Sequence, residues 1–396
     1  MMKTPKSNLV AMSGSEAVAK AIVQSNVDFA SAYPITPQTI IVERLSDLVA
    51  SGETKTAFVN VESEHSALSA CVGASLAGGR VFTATSSQGL ALMHEVLYLT
   101  SGLRCPIVMA VANRALSAPI NIHGDHSDMM GSRDSGWIQL YVENAQEAYD
   151  WCIQAYKIAE DERVSLPFTV NMDGYVITHS VEPIALIDNA AVDTFLPPRK
   201  SRYKIDTKNP ITFGTLTLPD YYFEFKKQQD DAMQNVPNVF NEVTSSFANL
   251  VDRRYNNITP FELEDAKVAV VSLGSASGTI RYVAKRLRKQ GLPVGALKIA
   301  LYRPFPHEEV GKILQDIDVV IVLERALSLG SHCGPLASDV VCSLYNRSGQ
   351  PQVLDIVAGL GGRDLSPESI EQIFRTGLEA RTKPTGFELE FAGVRE

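Results

Sequence analysis

The sequence predicts an α/β protein built as two doubly wound, largely parallel-sheet domains, and three features carry that expectation. Short apolar runs of strand length alternate with segments of helical spacing, as in a βαβ array. The alternation lapses over a proline-marked stretch and then resumes, dividing the chain into 1–181, a connector over 182–266, and 267–396. Polar and glycine-rich clusters follow the strand ends, where open α/β sheets hold ligands.

In the first domain, Ala17, Val18 and Ile22 predict a helix over 15–24, with Ser13 or Ser15 as its cap. An apolar run over 29–33 is stopped by Pro34, and 39–50 has helical spacing again. A strand over 57–61 leads into a helix of small residues over 64–76, including Ala67, Ala70, Gly73 and Ala74. Small side chains let another backbone approach closely, so this helix suits a place beside a neighbouring subunit or cofactor. Residues 80–85 read as a strand, 86–89 open a helix over 90–100, and 106–112 is a buried strand ending at Asn113 and Arg114. A helix over 145–160 and a strand over 166–172 complete the array. Across 182–266 the periodicity fades, and 239–255 alone has helical spacing, expected to pack across a surface. In the second domain, strands over 268–273, 294–299, 319–323 and 352–357 alternate with helices over 279–290, 308–314 and 335–345.

Composition narrows the function classes. The chain has 396 residues, 45% hydrophobic and 20% charged, as expected of a soluble globular protein with two or three domains. A net charge of −9 argues against a nucleic-acid binder, which needs clustered Lys and Arg. The start of the chain does not read as a secretory leader, and no run approaches the ~18 apolar residues of a membrane span. A cytoplasmic protein without membrane contact is therefore expected. Cys71, Cys105, Cys152, Cys333 and Cys342 form no C-x-x-C pair, which supports neither a zinc site nor an iron–sulfur cluster. Reduced, mostly buried thiols are the expectation. No G-x-S-x-G elbow appears, so a serine hydrolase is not supported.

Several strand-end residues admit two readings. Thr36, held between Pro34 and Pro37, belongs to a rigid turn or offers a fixed hydroxyl. Glu62 and Glu64 flank Ser63 where a strand meets the small-residue helix. Glu64 either stabilises the helix N-terminus or is a functional acid in an apolar wall. Arg114 leaves a buried strand, as a carboxylate-holding fork or a structural ion pair. The loop from His123 to Asp128 looks like a metal site but lacks helical H-x-x-x-H spacing, which favours a polar loop lining a small-molecule site. Arg133 and Asp134 brace it. Residues 274–278 could cradle an anion but lack the P-loop lysine, so a structural turn is favoured. Residues 359–364 read as tight turns with an ion pair.

Taken in order, these segments resemble one family. Tyr33-Pro34-Ile35-Thr36-Pro37, Ser63-Glu64, Thr85-Ser86-Ser87-Gln88-Gly89, Asn113-Arg114-Ala115-Leu116-Ser117, the 124–128 loop and Arg133-Asp134-Ser135-Gly136 resemble α subunits of the 2-oxoacid:ferredoxin oxidoreductases, most nearly the pyruvate members. Residues 359–364 resemble the turn near the end of that family's second domain. The match spans nearly the whole chain, with 182–266 contributing least.

The resemblance implies a thiamine diphosphate enzyme divided among chains. Residues 1–181 become the domain that holds the aminopyrimidine ring, and 267–396 a transketolase C-terminal-like domain. Glu64 matches the glutamate that hydrogen-bonds the pyrimidine nitrogen and favours the tautomer that removes the thiazolium proton. Arg114 and Thr36 match the residues that hold the substrate, so Glu64, Arg114 and Thr36 form the expected catalytic set. Pro34, Ile35, Ser87 and Gln88 are expected at the cofactor, and Asn121 and His123 at the substrate.

The chain has no Gly-Asp-Gly motif for diphosphate and magnesium, and no cluster cysteines. The resemblance therefore places magnesium and iron–sulfur clusters in partners: a β subunit with the diphosphate-binding domain, a ferredoxin-like subunit and a γ subunit. External ferredoxin would take the electrons and coenzyme A the acyl group. Pyruvate is the first expected substrate, on Ala118-Pro119-Ile120-Asn121 and Gly124-Asp125-His126; a branched-chain or aryl 2-oxoacid, or oxalate, needs only a reshaped wall. A different thiamine enzyme and a non-catalytic subunit that kept the fold are the rivals.

Overall fold

The computed structural model describes residues 8–383 and 389–395. The first half runs β1 (Asn8–Ser13), α1 (Gly14–Gln24), β2 (Phe29–Ala32), α2 (Thr39–Ala50), β3 (Ala57–Asn60), α3 (Glu64–Leu76) and β4 (Val81–Thr85). It continues with α4 (Ser87–Leu92), α5 (His94–Gly102), β5 (Val108–Asn113), α6 (Ser127–Met130), β6 (Ile138–Tyr141), α7 (Ala145–Ala159) and β7 (Phe168–Asp173). Then come β8 (Val181–Leu186), α8 (Asn189–Phe195), α9 (Pro219–Val251) and β9 (Ile258–Phe261). The remainder is β10 (Val268–Ser272), α10 (Ala276–Arg288), β11 (Val294–Ile299), β12 (Leu301–Arg303), α11 (His307–Leu314), β13 (Val319–Glu324), α12 (Pro335–Leu344), β14 (Gln352–Val357), α13 (Pro367–Ala380) and β15 (Leu389–Phe391).

Two doubly wound sheets result. The first has seven strands in the order β12-β6-β7-β5-β4-β2-β3, parallel except for β12 against β6. The second has six, β15-β14-β13-β10-β11-β9, parallel except for β9 against β11. Strands β1 and β8 pair antiparallel on their own. The apolar runs behave as parallel strands covered on both faces: β4, β5, β10 and β13 are buried along their whole lengths.

A buried apolar layer joins the two sheets. It contains Met109, Val111, Tyr141 and, on β12, Tyr302 from the first together with Val271, Leu297 and Val322 from the second. The Tyr141 and Tyr302 rings meet edge-on at 5.9 Å. The carboxyl ends of the strands in both sheets can therefore contribute loops to one site.

Several expectations need correction. The stretch 182–266 is not a bare connector: it holds β8, α8, α9 and β9, and β9 belongs to the second sheet. Helix α9 begins at Pro219, well before the expected 239, because its first part buries no face and so shows no apolar stripe. The helix expected over 90–100 is two, broken at Met93. Strands β1, β6, β8 and β12 and helix α13 were not anticipated; most of these strands are short or lie at an edge.

Candidate active site

Glu64 is the first residue of α3, yet it is not the helix cap. Ser63 performs that task, its hydroxyl accepting the backbone N–H of Ser66, while the Ser66 hydroxyl donates to Glu62. Glu64 is thus left over. Its side chain is 7% exposed and makes no hydrogen bond or ion pair among the described residues. It lies against Gly89 of α4, where a Cβ would come within 2.6 Å of both Glu64 Oε1 and Thr85 Oγ1. The Thr85 hydroxyl is also buried without a partner. A buried carboxylate costs free energy unless something donates to it. The bare backbone of Gly89 lets these two oxygens come close together, and as unpartnered acceptors they suit a ligand with N–H donors.

A second cluster forms around Arg114, just past β5. Its backbone N–H donates to Asp128 Oδ2 at 3.0 Å, Nε donates to the Asn121 carbonyl at 2.9 Å, and Nη1 donates to the Thr36 carbonyl at 2.9 Å. Nη2 has no partner among the described residues, so one arm of the fork faces the site. Thr36 is exposed, and its hydroxyl has no partner among the described residues either. The structure brings Arg114 and Thr36 together, through the backbone of Thr36.

The other expected residues fall into two groups. Pro34 is exposed and Ile35 half-buried; their turn is tied down by buried Gln38, whose Nε2 donates to Ala84 O at 2.7 Å. Gln88 is half-buried beside Glu64's glycine. Ser87 is fully buried, with its hydroxyl 2.5 Å from Ala115 O and 2.6 Å from Gln88 Oε1, so it positions the loop and presents no free hydroxyl. Asn121 is spent similarly: Nδ2 donates to Gly361 O at 3.0 Å, and Oδ1 accepts the His123 N–H at 2.7 Å. His123 is exposed, its ring tilted against that of Tyr175 with centroids 4.9 Å apart. Ser87 and Asn121 thus also brace the loops through these contacts.

Two buried carboxylates hold the site: Asp128, expected only as part of the 123–128 loop, and Asp173, which the sequence did not single out. Asp128 receives the backbone N–H groups of Ser87 and Arg114 on Oδ2, and Asn113 Nδ2 and Met129 N–H on Oδ1. It joins the Glu64 and Arg114 clusters. Burial pushes its carboxyl up to about 6, against the pull of those donors. Asp173, at the end of β7, joins the domains. Its Oδ1 lies 2.6 Å from His126 Nε2, and its Oδ2 lies 2.7 Å from Arg325 Nη1 and accepts the Ser275 N–H at 2.8 Å. Burial would raise its carboxyl, but Arg325 and His126 outweigh burial and hold it well below the usual carboxylate range.

These contacts explain the loops with ambiguous motifs. The 274–278 segment is a turn whose Ser275 grips Asp173. In the 359–364 segment the Gly361 N–H donates to Asp125 Oδ2 at 3.0 Å. The 123–128 loop spends His126 and Asp125 on protein partners, and no group of three or more metal-ligating side chains occurs among the described residues. Arg133 and Asp134 pair at 3.9 Å.

Comparisons with known proteins show the family. Residues 20–245 match the family model "Pyruvate flavodoxin/ferredoxin oxidoreductase, thiamine diP-bdg", and residues 266–370 match "Pyruvate:ferredoxin oxidoreductase core domain II". The chain is 48% identical over 388 residues to pyruvate synthase subunit PorA of Thermotoga maritima, covering 98% of each. It is 47% identical over 365 residues to the PorA subunit of Methanocaldococcus jannaschii, covering 91% of this chain and 93% of that one. Ketoisovalerate oxidoreductase subunit VorA of Pyrococcus abyssi is 40% identical, with 91% of each covered. Among solved structures, the 2-oxoglutarate:ferredoxin oxidoreductase of Magnetococcus marinus superposes with a TM-score of 0.74 at 22% identity, over 94% of this chain and 66% of that one, a likeness of fold.

Proposed function

Because the chain belongs to the pyruvate flavodoxin/ferredoxin oxidoreductase family, we propose that it is the α subunit of a pyruvate:ferredoxin oxidoreductase, working only within a complex. The overall reaction is oxidative decarboxylation of pyruvate with coenzyme A to acetyl-CoA, CO2 and reduced ferredoxin. The observation that carries the site assignment is the buried, unpartnered carboxylate of Glu64 against Gly89.

The residues fit the aminopyrimidine of thiamine diphosphate. When bound, that cofactor supplies the electron sink for cleaving the bond between a 2-oxoacid's carbonyl and carboxylate. Glu64 holds a hydrogen bond to the pyrimidine nitrogen in a site of low exposure, where a charge-assisted bond is strong. Thr85 and Gln88 stand beside it. Arg114, its Nε and Nη1 anchored on two loop carbonyls, turns Nη2 toward the oxoacid carboxylate, with the Thr36 hydroxyl as a second donor. Asp128 keeps these two halves in register.

A β subunit supplies the diphosphate and magnesium half, a ferredoxin-like subunit the iron–sulfur clusters, and a γ subunit completes the complex, with external ferredoxin as electron acceptor. What supports this division is that no Gly-Asp-Gly motif and no cluster cysteine pair occurs in the sequence. The location is cytoplasmic, in keeping with five free cysteines, three of them buried. No helix of the described residues is long and apolar enough to cross a membrane.

The test is Glu64→Gln in the assembled complex, assayed by viologen reduction with pyruvate and coenzyme A. Loss of most of the rate is expected; a near-wild-type rate overturns the assignment. A panel of 2-oxoacids on the unmodified complex decides the substrate, and preference for a branched-chain acid would overturn pyruvate.

A further inference from the structure

The loop that anchors the Arg114 fork is held from both domains. Arg114 Nε rests on the Asn121 carbonyl, and Asn121 reaches in turn to the second domain, its Nδ2 donating to Gly361 O at 3.0 Å. Asp125 Oδ2 accepts the Gly361 N–H, also at 3.0 Å. One residue of the second domain thus holds both ends of the segment 121–125. Between those ends Gly124 O accepts Arg325 Nη2 at 3.1 Å, and just beyond them the His126 N–H donates to Arg325 O at 2.7 Å.

The turn that makes these contacts follows β14, and it is glycine where the loop presses on it. Gly361 and Gly362 have φ of 57° and 76°, a left-handed backbone that disfavours any side chain. A Cβ on Gly362 would collide with His123 Cβ, and one on Gly361 would stand 2.5 Å from Asn121 Nδ2. A Cβ cannot swing aside as the end of a side chain can, so in the first case the loop itself has to move. Gly291 offers the contrast: its φ is 82°, yet a Cβ there meets nothing within 4 Å.

Within the first domain, residues 116–120 are exposed throughout, and the Ala115 N–H ties the loop at its base by donating to His123 O at 3.1 Å. The Asn121 carbonyl is therefore placed between the end of β5 and the turn of the second domain. The guanidinium of Arg114 follows that placement. Its Nε and Nη1 both rest on loop carbonyls, and Nη2 moves with them.

We infer that Gly361 and Gly362 are positioning residues for the oxoacid: their turn sets where the 121–125 loop sits, and through Asn121 it sets where Arg114 presents Nη2. The inference rests on the proposed reading of Arg114 as the substrate fork. It gives the second domain a share in oxoacid affinity, exerted through Asn121 and Arg114.

The test uses the complete complex in steady-state viologen reduction with pyruvate. Gly362→Ala should raise KM for pyruvate by about tenfold, with kcat and the thiamine diphosphate needed for half-activation changed by less than about twofold. Gly361→Ala, whose methyl meets only the end of an amide side chain, should raise KM less, and it decides alone if Gly362→Ala fails to assemble. Gly291→Ala carries the same backbone strain without touching the loop and should leave KM unchanged. Unchanged KM in the Gly361 and Gly362 variants overturns the inference. So does an equal shift in Gly291→Ala, or a cofactor requirement that rises together with KM.

Added to Arg114→Lys, Gly362→Ala should raise KM no further, because the fork it acts through is already lost. Full multiplication of the two effects overturns the inference. Arg114→Lys alone separates the two proposals. A KM rise there with none in the glycine variants sinks the role of the turn and keeps Arg114 as the substrate fork, whereas an unchanged KM sinks that reading and this inference with it.

Discussion

Arg114 Nη1 donates to the backbone oxygen of Thr36 across 2.9 Å, and its Nε donates to the Asn121 carbonyl at the same distance. The guanidinium is therefore a spacer between two loops before it is a ligand, and only Nη2 is left to face the site. A lysine keeps the charge but cannot span both carbonyls. Arg114→Lys should raise KM for the oxoacid by about tenfold or more, with kcat falling less, in steady-state viologen reduction. Unchanged KM would mean that the fork does not hold substrate.

Gly89 gives a second check on the same site, independent of charge. A methyl group there would lie 2.6 Å from Glu64 Oε1 and from Thr85 Oγ1, well inside contact distance. Gly89→Ala should displace the Glu64 carboxylate and raise the thiamine diphosphate concentration needed for half-activation by about tenfold. Reconstitution of cofactor-stripped complex measures this directly.

Asp128 predicts a coupled failure. Both oxygens accept two donors each, so Asp128→Asn must set an NH2 against two N–H groups whichever way the amide turns. An unsatisfied buried donor costs about 1–3 kcal/mol. The variant complex should melt at a lower temperature, and both cofactor and oxoacid half-saturation should worsen together. Worsening of one alone would contradict the hub role of Asp128.

How these residues cooperate was only partly legible in the sequence. Helices α2 and α3 and strands β11 and β14 lie where periodicity put them, because each has a clean buried face or run. The first half of α9 was hidden because periodicity reports burial within one chain, and that segment is buried by none of it. Glu64, Arg114 and Thr36 stood out through local motif context. Asp128 and Asp173 did not, since their partners lie at 87, 113 and 114 and at 126, 275 and 325. No local pattern encodes a carboxylate whose donors come from loops brought together only by the folded sheets.

Asp173 carries the interdomain link. Removing its charge leaves Arg325, itself 5% exposed, without its counter-ion, and strands the Ser275 N–H. Breaking a buried pair from one side costs about 3–5 kcal/mol. Asp173→Ala should therefore show a large loss in denaturant unfolding, whereas Arg286→Ala, at a half-exposed pair with Glu371, should show little. Similar losses in the two variants would contradict the assignment.

Glu324, at the end of β13, sets a pH dependence of known sign. It is 1% exposed, and burial pushes its carboxyl up to about 8, opposed by the Ala337 N–H on Oε1 at 2.7 Å and reinforced by Asp355. An acid raised in the fold contributes its full stability below its ordinary value, near 4.5, and loses it as pH rises through about 8. Glu324→Gln keeps an oxygen for Ala337 and cannot ionise. Its stability relative to wild type should thus climb with pH, by on the order of 3 kcal/mol between about pH 5 and pH 9. Melting curves across that range read the difference, and an advantage that shrinks with rising pH would show that the ionised carboxylate is the form the fold prefers.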